Sequence, residues 1–145
     1  MKSVLTWKEG MFFQAVSEGL SVDMDAKAPI GKSLAPTPKE LVIAGLGGCT
    51  AMDVIALLKK HKQAETGFEI EVDVGTSTGK TPVVFTKAYI YFRISGEVDK
   101  AIALDAVKLS QTKYCGVSAM LSKVFPIEYH VIVNGEPVGS GTASF

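Results

Sequence analysis

The spacing of apolar and polar residues changes period along the chain. Leu20, Val22 and Met24 alternate with Ser21, Asp23 and Asp25, which predicts a strand with one buried face. Val4–Trp7 and Met11–Val16 read as its partners, with Glu9-Gly10 as the turn. Residues 26–38 hold Pro29, Gly31, Pro36 and Pro38 and read as a loop leading into a helix. Thr37 is placed to cap that helix, Pro38 to open it, and Glu40, three residues after the cap, to complete a capping box.

Residues 41–58 are almost wholly apolar, with Asp53 the only charge, and end in Lys59-Lys60-His61-Lys62. Cations at that position suit a helix C-terminus. The length would also suit a membrane span. Gly45, Gly47 and Gly48, the internal Asp53 and the strand-like flanks favour a central helix buried in a soluble protein. Its small residues would let another helix approach closely.

Phe68, Ile70, Val72 and Val74 alternate with Glu69, Glu71 and Asp73, the clearest half-buried strand. Residues 83–94 form a second long strand. Val84, Ala88, Ile90, Phe92 and Ile94 face one way, and Phe85, Tyr89, Tyr91 and Arg93 the other. Asp99 begins a second helix, and residues 115–124 a short third one with Thr112 as its cap. Ile127–Val133 is a strand, and Asn134-Gly135 turns it back into a last strand over 136–143. Helices and strands do not alternate regularly, so the class is α+β, in one domain spanning 1–145.

Composition adds little. The chain is 47% hydrophobic and 21% charged, with zero formal net charge, an ordinary globular mix. Neutrality leaves no footprint for nucleic acid or an anionic membrane. The only arginine is Arg93. Residues 1–8 are too short and too charged for a secretory signal core. The expected compartment is therefore the cytoplasm, where thiols stay reduced.

Several chemical motifs fail on inspection. Gly75–Thr81 resembles a phosphate loop but has three residues between its glycines, and Pro82 and a strand follow where a helix is required. His61 and His130 stand far apart without ligand-spaced partners, so no metal site and no cofactor is expected. Asp53 lies four residues after Cys49, on one helix face. Cys115 follows Lys113 near a helix start, a setting that lowers a thiol pKa. Either cysteine alone also reads as a small buried hydrophobe.

Residues Pro38–Asp53, Pro-Lys-Glu-Leu-Val-Ile-Ala-Gly-Leu-Gly-Gly-Cys-Thr-Ala-Met-Asp, resemble the central-helix signature of the osmotically inducible protein C and organic hydroperoxide resistance (OsmC/Ohr) family. Tyr114-Cys115-Gly116-Val117-Ser118 resembles its second cysteine motif, and the order of elements agrees over nearly the whole chain. The glycine-rich version is similar to an OsmC-like subgroup. The resemblance implies antiparallel sheets packed around a long buried central helix, in an intertwined homodimer. It implies a bacterial-type protein of the oxidative stress response. Cys49 would attack an organic hydroperoxide, Cys115 would resolve the product as a disulfide, and a dithiol reductant would restore both.

The activating arginine that such enzymes carry in their N-terminal region, held by a glutamate ten residues before the first cysteine, has no counterpart here. Lys39 occupies the glutamate's position and Glu40 the next. Lys39 or Arg93 would have to supply the charge, with Glu40 and Asp53 as supporting residues. The alternative function on the same dimer is non-enzymatic binding of a small apolar or electrophilic ligand, with Cys49 lining the pocket. A purely structural role for both thiols is a third reading.

Overall fold

The computed structural model describes residues 1–145 and divides into two compact units, Met1–Ile43 and Ala44–Phe145. The first holds a three-stranded antiparallel sheet of β1 (Val4–Glu9), β2 (Phe12–Ser17) and β3 (Leu20–Met24), in that order. Glu18 and Gly19, both at positive φ, make the two-residue turn that joins Ser17 to Leu20.

The loop that follows is organised by Asp25. Its carboxylate is buried and accepts the backbone N–H groups of Ala26, Lys32 and Leu34 at 2.8–3.1 Å. Those bonds, that from Leu34 foremost, hold its pKa below the ordinary carboxylate value. Gly31 is obligatory here, because a Cβ would lie 2.2 Å from the Ala26 carbonyl oxygen. The capping box forms as expected. The Thr37 N–H donates to Glu40 Oε2 at 2.7 Å, and the Glu40 N–H to Thr37 Oγ1 at 3.3 Å.

The long helix α1 (Pro38–Lys60) runs from one unit into the other without interruption at its glycines. By length and hydropathy it could cross a membrane, but Leu46, Val54 and Leu58 are wholly buried in the core of the second unit. Gly47 permits the approach, since a Cβ there would lie 3.1 Å from Val72 Cγ2.

The second unit's sheet runs in the order β4 (Ala64–Thr76), β5 (Phe85–Glu97), β6 (Ile127–Val133), β7 (Glu136–Thr142). Between β5 and β6 lie α2 (Lys100–Leu109), a π-helical turn (Ser110–Tyr114) and α3 (Gly116–Leu121). This crossover makes β5 and β6 parallel, the one departure from the antiparallel expectation. Ala88, Ile90, Phe92 and Ile94 face inward with Ile127, Val131 and Val133 and pack with Ala103, Ala106 and Val107 of α2. Gly139 leaves room for Leu104, and Asn134-Gly135 make the last hairpin turn at positive φ.

Four local expectations need correction. Leu20 and Val22 do not make a buried face of β3 but lie exposed in the single chain. The first hairpin turns at Gly10-Met11, since Glu9 pairs with Phe12. A register shift beside Thr76 reverses the alternation at the start of β5. Phe85 turns inward against Phe125, and Val84 lies exposed instead. Thr112 does not cap α3. Its hydroxyl donates back to the Lys108 carbonyl in the last turn of α2, and the capping residue is Cys115 itself.

Candidate functional site

The π turn brings the second cysteine to the first. A π turn accommodates one more residue than an α turn, and its closing bond runs from the Cys115 N–H to the Ser110 carbonyl at 2.9 Å. Cys115 then leaves helical geometry, with ψ at 101°, and its sulfur accepts the Ser118 N–H at 3.3 Å. The side chain is 0% exposed. Burial pushes its thiol pKa up. The Ser118 amide and hydroxyl oppose that, and the neighbouring Cys49 adds to it. The Ser118 hydroxyl is buried beside that sulfur. The two sulfurs are not bonded to each other, and Cys49 is only partly buried. Two cysteines distant in sequence are thus neighbours, one partly exposed in the single chain and one sealed.

A buried polar network joins α1 to the π turn. Ser110 donates to Asp53 Oδ2 at 3.0 Å, Ser110 and Thr50 share a hydroxyl bond of 2.7 Å, and Gln111 Nε2 donates to Thr50 Oγ1 at 2.8 Å. Asp53, a candidate from its place four residues after Cys49, is thus tied to the segment that carries Cys115. Ser110, Gln111, Thr50 and Ser118 escape sequence reasoning. One signal for them exists: Ala103, Ala106, Val107 and Ser110 share a helical stripe, so a polar residue continues a buried face.

The other candidates lie elsewhere. Arg93 is bound to Glu69 at 3.4 Å and Glu71 at 2.8 Å. It occupies the sheet face opposite Phe92 and Ile94, away from the face that Gly47 of the same chain packs against. Lys39 is exposed in the first turn of α1. Glu40, within the N-terminal unit, pairs with Lys27 at 3.0 Å besides capping the helix, and its pKa is lowered, first by the Thr37 amide and then by Lys27. No three His, Cys, Asp or Glu side chains gather as metal ligands. Residues 77–84 make a hairpin loop closed by Ser77 and Val84, not a phosphate cradle. His130 stacks against Tyr91 on the outer sheet face, and His61 is exposed beyond α1.

An α+β chain with two sheets, a central helix bearing one cysteine and a crossover bearing its neighbour defines a small class of proteins. The OsmC-like protein family matches residues 31–130, and the chain belongs to that family. It is 32% identical to protein YhfA of Escherichia coli K12 over 131 residues, 89% of this chain and 95% of that one. The fold is similar to that of a hypothetical protein from Aquifex aeolicus (24% identity, TM-score 0.82, 92% and 95% of the two chains). It is also similar to that of an organic hydroperoxide resistance protein, OsmC, from Legionella pneumophila (16% identity, TM-score 0.64, 92% and 96% of the two chains).

Proposed function

We propose that the protein is a thiol-dependent reductase of organic hydroperoxides that works through Cys49 and Cys115. The observation that carries this reading is the asymmetric pair: a partly exposed thiol beside a fully buried one whose pKa is raised. Only the thiolate is a good nucleophile, and only an accessible sulfur meets a peroxide. Cys49 therefore attacks, and Cys115 waits as the protonated partner.

The Cys49 thiolate takes the terminal oxygen of ROOH, giving Cys49–SOH and an alkoxide that picks up a proton to leave as ROH. The Cys115 sulfur then bonds to the Cys49 sulfur, and its proton leaves with the hydroxyl as water. A small dithiol reduces the disulfide, becoming a disulfide itself and returning both protein thiols. A reducing compartment such as the cytoplasm belongs to the same reading.

The working form in this reading is a homodimer. Trp7 is 60% exposed, Leu20 79% and Met52 76%, and Val4, Leu5, Val22 and Val42 are exposed as well. A three-stranded sheet open on this scale is marginal in water, and apolar exposure of this extent marks an interface. A second copy of the chain is the occupant proposed.

Peroxide consumption with a dithiol present tests the function. Cys49→Ser is expected to abolish turnover, whereas Cys115→Ser keeps one stoichiometric oxidation and loses recycling. Full turnover by Cys49→Ser overturns the reading. A small molecule retained on the native protein, with both thiols inert to peroxide, makes it a binding protein instead.

A further inference from the structure

Thr50, Ser110 and Gln111 are all 0% exposed, an unusual concentration of polar side chains at the core's edge. Their hydrogens have one consistent arrangement. A carboxylate only accepts, so the single Ser110 hydroxyl proton goes to Asp53. The Ser110 oxygen must then accept from the Thr50 hydroxyl, and the Thr50 oxygen accepts from Gln111. Every donor points toward Asp53, and bonds aligned in this way polarise one another.

Gln111 Oε1 is buried and has no protein partner. The residue at the centre of the network has two tasks. The Ser110 side chain is fixed to α1 by Thr50 and Asp53, while its carbonyl accepts the Cys115 N–H. The helix of one cysteine is thereby braced against the backbone of the other.

We infer that Asp53, acting through Ser110, is a positioning residue for Cys115. The brace holds the Cys115 sulfur where it can close on Cys49. This rests on the two-cysteine reading above and deepens it. Glutathione disulfide separates the steps without peroxide. Cys49 first displaces one reduced glutathione to give a mixed disulfide, and Cys115 then displaces the second to leave the Cys49–Cys115 bond.

The experiment follows both steps by quenched mass spectrometry in the full chain and in Asp53→Ala, Ser110→Ala and the near-isosteric Asp53→Asn. In the two alanine variants, the ratio of the second rate to the first is expected to fall about tenfold or more, because small misplacements of reacting atoms are costly. Asp53→Asn, whose amide oxygen still accepts from Ser110, should fall less. Should one alanine variant fail to fold, the other still decides, since either substitution breaks the Asp53–Ser110 bond; should both fail, Thr50→Val, which removes the other bond fixing Ser110, decides in their place, an unchanged ratio overturning the brace. Variants that close as fast as the parent overturn this inference and leave the two-cysteine reading standing. A parent that stops at the mixed disulfide overturns the two-cysteine reading itself.

Discussion

Cys115 carries two opposed influences, burial and hydrogen bonding, and burial wins. Its folded pKa is raised, so the native state keeps the proton after the unfolded chain has released it. That contribution is fully present below the ordinary thiol value of 9.0 and is lost as pH rises through the folded one. Stability should therefore drop from about pH 9 upward, and less in Cys115→Ser, which has no thiol there to ionise. Tyr129, also raised by burial, adds an alkaline loss that both proteins share. Urea midpoints between pH 7 and 10 check the difference, and parallel curves would refute it. The same residue shows where sequence reading stops. Lys113 stands two positions away and invites the idea of a lowered pKa, yet Lys113 is exposed and burial dominates. Burial at a helix cap is set by tertiary packing, and no local pattern announces it.

Among the elements, those with strong periodicity or turn chemistry were legible. The Thr37–Glu40 box, the Asp99 cap and the Asn134-Gly135 turn each use side-chain chemistry that acts within a few residues. The π turn was not legible, because its extra residue is stabilised by contacts from α1, distant in sequence. The reversal at Phe85 likewise depends on pairing with β4. Close approach between elements gives a second prediction. A Cβ at Gly139 would lie 2.7 Å from Leu104 Cδ1, so the Leu104 side chain must move from its packed position. Gly139→Ala should cost about 1–3 kcal/mol by denaturant titration. Gly48→Ala meets nothing within 4 Å in the single chain and replaces a helical glycine, so it should add up to about 1 kcal/mol to monomer stability. The reverse order of effects would show that the packing has been misread.

At the scale of the whole molecule, the α+β class, the central helix and the family followed from the cysteine motifs and the order of elements. The activating cation did not. Of the two residues expected to supply it, Arg93 is held by Glu69 and Glu71 on the outer sheet face, and Lys39 is exposed in the first turn of α1. Glu40 holds a lysine, Lys27, from a loop whose form depends on the buried Asp25. The proposed dimer has its own test. Trp7→Glu puts a charge into the exposed apolar sheet, and sedimentation should then report the 15.4 kDa single chain in place of a dimer. A parent protein that sediments as a monomer contradicts that part of the proposal.

The central claim is that Cys49 and Cys115 work as a pair, one accessible and one sealed. One equivalent of an organic hydroperoxide added to the reduced protein, followed by peptide mass spectrometry, tests it most directly. The account predicts a Cys49–Cys115 disulfide, the matching alcohol and no remaining peroxide. Two free thiols and unconsumed hydroperoxide would contradict it.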